Sequence, residues 1–260
     1  MGKFRYPTGA RPLLIEETAR RRRIESRFVS LLESEGFAEV VLPIIDFAEP
    51  YVTVTGRDAA RQSYRFTDRD GELVAVRSDF TPMVARALAP ALDESDLPLR
   101  VFYRGDVIRC QATRLGANRE LFQIGAEWIG DATPAADAAI LRLVARIARS
   151  FDIEPLVTYT GAESLARELG DDPRFVAYVD DQETDTGYYT GLRFGVFGND
   201  RRTLIAQGGR YDTLYGRFGH DAPAVGFTFT IDELESAPPA HRSAGDASAE
   251  SSRPALQEQS

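Results

Sequence analysis

The residues best suited to chemistry lie on two predicted strands, Leu99–Cys110 and Arg119–Gly130, joined by a loop over Gln111–Asn118. In the second strand, apolar residues alternate with an amide, a glycine and a carboxylate: Phe122, Gln123, Ile124, Gly125, Ala126, Glu127 and Trp128. A period of two sends the two sets to opposite faces of the sheet. The polar set forms a shelf that backbone or ligand can approach closely over the glycine. The alternative is an amphipathic hairpin whose outer face is solvated, because strand patterns alone do not identify function.

Three further polar groups flank this shelf in the sequence. Arg109 ends the first predicted strand, and a guanidinium there can hold a carboxylate or phosphate through two parallel hydrogen bonds. Asp79 and Thr81 stand at the entrance of a helix predicted over Pro82–Leu92, where proline suits the first helical position. At that entrance they can cap the helix or bind the amine of a ligand, and both interpretations stay open.

The elements that must position these groups alternate between helices and hairpins. Helices are predicted over Leu13–Glu35, Pro82–Leu92, Pro134–Phe151 and Ala162–Leu169. Strands are predicted over Phe37–Ile45, Tyr64–Thr67, Leu73–Arg77, Leu156–Thr160, Phe175–Val179, Gly187–Phe197, Thr203–Gln207 and Pro223–Ile231, besides the central pair. Antiparallel strands with helices outside them predict an α+β fold, not a doubly wound parallel sheet.

Two segments have features of their own. Pro43 cannot donate to a strand ladder, so the strand over Phe37–Ile45 is expected at an edge or an interface. The basic run Arg20–Arg23 lies on the first helix, where a solvated face is the simpler interpretation and nucleic-acid contact the rival.

Composition excludes several function classes. The net charge of −9 argues against a general nucleic-acid binder, which usually carries a basic face. One cysteine and two histidines leave no obvious metal site. We expect no membrane span and no export signal, and therefore a cytoplasmic protein. The segment 236–260 is rich in Ala, Ser, Pro, Glu and Gln and is predicted to be a disordered tail.

Six motifs in order resemble the catalytic core of class II aminoacyl-tRNA synthetases, most closely the histidyl branch. Gly36-Phe37-x-x-Val40-x-x-Pro43 is similar to motif 1, which builds a dimer interface, and Phe102–Glu127 is similar to motif 2. The other four are Ala224-Val225-Gly226-Phe227 for motif 3, Arg77–Thr81 for the histidyl R-P-E-G-T segment, Tyr188–Gly191 for the tyrosine pair, and Gly208–Asp212 for the glycine loop of the histidine pocket. The resemblance implies a synthetase-like core over residues 1–235, with the family's helical insertion reduced to about 161–183.

The resemblance implies that an amino-acid pocket is retained. Asp79 and Thr81 would meet the α-amino group of histidine, and Gln123 and Glu127 would line the shelf. Glu127 is the expected acceptor for an imidazole N–H, while Tyr188 and Tyr189 would supply a wall and a hydroxyl. With Arg109, these residues form the predicted histidine site; no cofactor and no metal are implied.

The resemblance also implies that the adenylate-forming half is lost. Arg109 keeps the motif 2 arginine, but the glutamate two residues later is Gln111. A family arginine before the tyrosine pair falls on Thr184, and the motif 3 arginine falls on Glu233. A cation facing a polyphosphate has become an anion. This sequence also shows no match to the family's anticodon-binding domain, so tRNA charging is not expected.

This combination is similar to a paralogue within the family, the regulatory subunit of ATP phosphoribosyltransferase in histidine biosynthesis. The implied partners are a short-form catalytic subunit, a second copy through Gly36–Pro43, and L-histidine. Bound histidine would bias a dimer between two arrangements, with a coupling free energy of ~1–3 kcal/mol. The alternatives are an amino-acid-activating ligase, a structural scaffold with a vestigial pocket, and an RNA-binding relic.

Overall fold

The computed structural model of the chain describes residues 6–50, 53–54, 63–110, 118–161, 163–178 and 188–238. Its helices are α1 (Ile15–Ser34), α2 (Thr81–Leu88), α3 (Pro134–Ser150), α4 (Glu163–Leu169) and α5 (Ile231–Ser236). Its strands are β1 (Ala38–Glu39), β2 (Ile45–Phe47), β3 (Arg65–Thr67), β4 (Leu73–Val76), β5 (Leu99–Ile108), β6 (Glu120–Ile129), β7 (Leu156–Tyr159), β8 (Phe175–Ala177), β9 (Arg193–Phe197), β10 (Leu204–Arg210) and β11 (Ala224–Thr230). The predicted positions at Gln111 and Thr184, most of the tail, and the end of the reduced insertion fall outside the described residues.

Within the described residues, the larger sheet runs in the order β1-β5-β6-β11-β10-β9-β7-β8. The pairs β1–β5 and β7–β8 are parallel and the other neighbours are antiparallel. A second sheet, in the order β2-β4-β3, contains the predicted hairpin of Tyr64–Thr67 and Leu73–Arg77. The α+β fold predicted from the order of elements is confirmed.

The two faces of the larger sheet bury separate clusters. On one face, Phe28 and Leu32 of α1 pack with Ile140 of α3 and with Ile124 and Ala126 of β6. On the other face, Tyr103 of β5 packs with Phe80 and with tyrosines from later in the chain. Both sets of alternating residues in β6 are therefore covered. The hairpin with a solvated outer face is wrong, because Gln123 and Glu127 are 6% and 1% exposed.

Helix boundaries follow the expected signals. The Oγ1 of Thr133 accepts a hydrogen bond from the N–H of Ala136 at 3.2 Å and caps α3. Gly36 follows α1 with a φ of +79°, which costs a glycine little. On α1, Arg21 does not belong to a solvated face: it is 6% exposed and pairs with Asp232 and Glu235 of α5.

The strand predicted over Phe37–Ile45 is wrong in extent. It divides into β1 and β2, which lie in different sheets. Between them, the carbonyls of Leu42 and Pro43 accept hydrogen bonds from Nη1 of Arg77 at 3.0 and 3.2 Å. The Arg77 side chain therefore supplies the hydrogen bonds to the backbone carbonyls around the proline, where a neighbouring strand was expected to supply them. β1 lies at the edge of the larger sheet, and Pro43 belongs to neither strand.

The reduced insertion contributes to the sheet. Within its described part, α4 follows β7, and β8 then pairs in parallel with β7. The described part of the insertion therefore extends the larger sheet by one edge strand.

None of the helices in the described ranges combines the length and the apolar character that a membrane span requires.

Candidate functional site

The candidate site lies on the face of the larger sheet opposite α1 and α3. Its floor is made where β5, β6, β11 and β10 lie side by side, and the start of α2 and the Tyr188–Tyr189 segment form its walls. Cross-strand partners in a sheet face the same way, so the register decides which residues meet on this floor. Gly125 pairs with Tyr103 and Thr228, and Gly226 pairs with Glu127 and Gly209. The Tyr103 side chain lies over Gly125, and the side chains of Tyr211 and Glu127 lie over Gly226.

The predicted shelf over Gly125 is filled from within the chain. A Cβ at Gly125 would meet the hydroxyl of Tyr103 and lie 2.6 Å from the carbonyl oxygen of Phe227. At Gly209 a Cβ would come within 2.8 Å of the Tyr189 ring. The close approach predicted at the glycine is correct, but the group that uses it is a tyrosine of the protein.

Asp79 holds the entrance of α2 and reaches the opposite wall. Its Oδ1 accepts a hydrogen bond from the N–H of Thr81 at 3.2 Å, and its Oδ2 accepts one from the hydroxyl of Tyr188 at 2.9 Å. Burial raises the pKa of Asp79, and the Tyr188 hydrogen bond and the positive charge of Arg109 oppose that rise. The N-cap residue of α2 is Phe80 and no side chain caps it, so Asp79 binds the Thr81 N–H from one position before the cap, and the same carboxylate lines the cavity.

Glu127 lies beneath the cavity and is surrounded by hydroxyls. Its Oε1 accepts from Thr81 at 3.0 Å and from Tyr103 at 3.2 Å, and its Oε2 accepts from the hydroxyl of Tyr211. Burial raises the pKa of Glu127 well above the usual carboxyl range, because the three hydroxyls do not offset the loss of water. The carboxylate expected to accept an imidazole N–H is thus already held by the protein's own donors.

The structure brings six of the seven predicted site residues to one cavity of about 40 Å³. They are Asp79, Thr81, Arg109, Gln123, Tyr188 and Tyr189, and Glu127 lies below them in contact with Thr81. At ~10–15 Å³ for one water, this volume holds about three waters. A ligand the size of an amino acid therefore needs side chains to move.

The cavity is also lined by residues that the sequence prediction left out, including Gln207, Tyr211 and Thr228. Thr228 follows Gly226 by two positions in β11, so strand alternation alone would have placed it on the same face. Gly208 and Gly209 were expected in a loop, and this is wrong: they lie within β10. Arg210, at the end of β10, pairs with Asp137 of α3 at 2.6 Å and serves packing.

The site is poor in positive charge. Among the described residues that line the cavity, Arg109 is the one cation, and it faces the Asp79 carboxylate. Glu233, which the resemblance aligns with a family arginine, does not line the cavity: it lies in α5, whose buried residues Ile231 and Leu234 pack with α1 and α3 on the opposite face of the sheet. No cluster of three or more His, Cys, Asp or Glu residues in the described part of the chain is arranged to hold a metal ion. The geometry defines a small, closed polar cavity on a class II synthetase-like sheet.

Comparison with known proteins identifies the family of this chain. A sequence model of the histidyl-tRNA synthetase family matches residues 9–182 and 162–234. The chain belongs to the histidyl-tRNA synthetase family. A curated relative from Geobacter sulfurreducens, an ATP phosphoribosyltransferase regulatory subunit, is 28% identical over 89% of this chain and 72% of its own length.

Both branches of the family appear among the relatives. The histidine–tRNA ligase of Methanocaldococcus jannaschii is 25% identical over 89% of this chain and 75% of its own length. A crystal structure described as an ATP phosphoribosyltransferase regulatory subunit/histidyl-tRNA synthetase from Bacillus halodurans matches with a TM-score of 0.76 at 21% identity, over 92% of this chain and 84% of that chain. The class II synthetase-like fold expected from the motifs is confirmed.

Proposed function

We propose that this chain is a regulatory subunit of ATP phosphoribosyltransferase, without catalysis of its own, that assembles with a short-form catalytic subunit and binds histidine at the Asp79–Tyr188 cavity. The Geobacter relative carries the first part of this role in its name. The second part is supported by the polar groups at the cavity: Asp79 for an ammonium, Gln123 for a polar side chain, and Arg109 for a carboxylate.

The observation that carries the proposal is the scarcity of positive charge at the site. Arg109 is the one cation among the described residues that line the cavity, and it faces the Asp79 carboxylate. At an effective dielectric of ~20, one like-charge contact near 4 Å costs about 4 kcal/mol. Since ATP activation depends on placed cations, a site of this charge favours a receptor over a ligase.

Reconstitution tests the regulatory role. The short-form catalytic subunit from the same cell would be assayed for ATP phosphoribosyltransferase activity alone, and again with this chain added. We expect activity to rise only on mixing and the two proteins to elute together in gel filtration. Equal activity with and without this chain, or separate elution, would contradict the role.

Calorimetry with L-histidine tests the ligand. We expect heat of binding with the unaltered chain, and its loss with Asp79→Asn because the ammonium loses its charged partner. Asp70→Asn is the matched control, since Asp70 is exposed and lies in the turn before β4. Removing a hydrogen bond to a charged group should weaken binding by about tenfold or more.

A structural scaffold with a vestigial pocket is the second candidate, and the small volume of the cavity favours it. A scaffold predicts successful reconstitution together with no heat from histidine. A ligase, the activity named for the Methanocaldococcus relative, predicts pyrophosphate exchange with ATP and histidine; we expect none. Calorimetry with histidine therefore separates a histidine-binding regulator from a scaffold, and pyrophosphate exchange separates both from a ligase.

Self-association through Gly36–Pro43 belongs to the same proposal. β1 lies at the edge of the larger sheet, and Val41 just beyond it is 89% exposed. An exposed β-branched residue next to an open strand edge is suited to a second copy. Val41→Lys should reduce the dimer fraction in analytical ultracentrifugation, and an unchanged dimer would exclude this surface.

A further inference from the structure

A second cavity lies on the opposite face of the sheet from the candidate histidine site. Its volume is about 320 Å³, which falls in the range of small-molecule pockets. It opens between the end of α1, the neighbouring strands β5 and β6, and α3. Its lining residues are Glu35, Phe37, Arg100, Trp128, Ala139, Ile140, Arg142, Leu143 and Arg146.

The charges around this cavity are mainly positive. Three arginines and one glutamate line it, in a chain whose net charge is −9. Glu35 pairs with Arg146 at 2.5 Å, so one arginine is neutralised and two remain in excess. Arg142 donates to the carbonyl of Glu168 and is exposed, which leaves its other N–H groups for a ligand.

Arg100 is held in place before any ligand arrives. Its guanidinium lies 3.7 Å from the centroid of the Trp128 ring, and its Nη1 donates to the carbonyl oxygen of Glu35 at 3.0 Å. A planar group fixed by stacking and one hydrogen bond loses little conformational entropy when it binds an anion. The cavity therefore contains a pre-ordered cation beside an apolar wall.

The Trp128 side chain also carries an unused donor. Its indole Nε1 is buried and has no hydrogen-bond partner among the described residues. Phe37, Ile140 and Leu143 supply apolar surface around the same space.

We propose that this cavity binds a small organic anion, with a carboxylate or phosphate held by the arginines and an apolar or aromatic body against Trp128 and Leu143. The arginines select a negatively charged ligand group, the apolar wall selects an apolar or aromatic remainder, and the cavity volume limits the size of the ligand. This inference rests on the geometry of the second cavity, which shares Phe37 with the Gly36–Pro43 segment proposed for self-association but does not depend on histidine binding or on the catalytic subunit.

Fluorescence of Trp128, the single tryptophan of the chain, reports directly on this cavity. The full chain would be titrated with AMP and benzoate, and with their neutral counterparts adenosine and benzamide. Inorganic phosphate tests the charge without a body. We expect saturable changes with at least one organic anion, weaker binding of phosphate, and none with the neutral compounds. A response to AMP alone assigns phosphate, and a response to benzoate alone assigns carboxylate.

Substitutions on α3 separate this cavity from other sites. Arg142→Gln should weaken binding by about three- to tenfold, because it removes a charged donor at the cavity. Arg149→Gln is the matched control: it lies on the same helix but pairs with Glu154, away from the cavity, at 3.3 Å. Ala139→Leu, which fills the cavity, should also weaken binding, with melting temperatures reporting that each variant is folded.

Three results would overturn the proposal. One is the absence of any response to both organic anions at millimolar concentration. Another is equal binding of the neutral compounds, since the arginines would then select nothing. The last is binding that neither Arg142→Gln nor Ala139→Leu alters in folded protein, because the ligand would then lie elsewhere.

Discussion

The hydroxyl of Tyr188 donates to Oδ2 of Asp79 at 2.9 Å, across the cavity that the two residues line. A ligand ammonium must therefore displace an internal donor from the carboxylate. Tyr188→Phe removes that competitor and leaves the ring as a wall. We expect histidine to bind up to about tenfold more tightly to this variant in calorimetry, because the bond lost in the free state is one to a charged group.

Tyr215→Phe is the control for this substitution. Its hydroxyl is buried without a hydrogen-bond partner in the described part of the chain, and it does not line the cavity. Its removal should leave histidine affinity unchanged. Weaker binding by Tyr188→Phe would mean that the hydroxyl serves the ligand and does not compete with it.

A second prediction concerns the pH dependence of stability at Glu127. Burial raises its folded-state pKa well above the ordinary value of 4.5, so the native state holds this proton more tightly than the unfolded chain. Its stabilising contribution is complete at low pH and is lost as pH rises towards the folded-state pKa. The loss amounts to at most about 1.4 kcal/mol per pH unit.

Glu127→Gln keeps the shape of the protonated acid and removes its titration. We expect the free energy of unfolding of the unaltered chain, relative to this variant, to fall in urea titrations as pH rises from the ordinary carboxyl range towards neutrality and above. Asp79, whose pKa burial also raises, is present in both proteins and largely cancels. A constant difference across this range would show that Glu127 does not retain its proton.

The third prediction concerns the ion pairs between α1 and α5. Arg21 is buried and lies 2.9 Å from Asp232 and 2.7 Å from Glu235. Arg21→Met leaves the Asp232 carboxylate without this guanidinium and leaves Glu235 with its longer contact to Arg20 at 3.6 Å, which should cost about 3 kcal/mol of unfolding free energy. Arg23→Met, at an exposed position of the same helix, should change it by less than about 0.5 kcal/mol. Equal effects in chemical denaturation would show that the buried pairs add nothing.

A fourth prediction uses the contact between Tyr103 and Gly125. A Cβ at position 125 meets the Tyr103 hydroxyl and the carbonyl oxygen of Phe227, so both the ring and β11 must shift. We expect Gly125→Ala to cost about 3 kcal/mol. Gly71→Ala, whose φ is +86° with open space around it, should cost only about 1–2 kcal/mol of backbone strain. Thermal unfolding measures both, and a smaller loss at Gly125 than at Gly71 would contradict the packing described here.

Local patterns were sufficient to predict most of the elements. The alternation of β6 and the extent of α3 each depend on neighbours within a few residues, and both appear as predicted. The predictions for the strand around Pro43 and for the solvated face of α1 were wrong because side chains distant in the sequence supply the partners there. Arg77 satisfies the carbonyls beside Pro43, and α5 supplies the acids for Arg21, so neither outcome is visible in nearby sequence.

By itself, the sequence determined the fold class, the family and six of the polar residues that meet at the cavity, because periodicity and ordered motifs encode which face each side chain takes. Tertiary structure alone decided how those residues are used. It set Tyr103 over Gly125, three hydroxyls around Glu127 and Tyr188 on Asp79, through contacts between residues 22 to 109 positions apart. Such pairings depend on the register of strands and the packing of the walls, which no local pattern specifies.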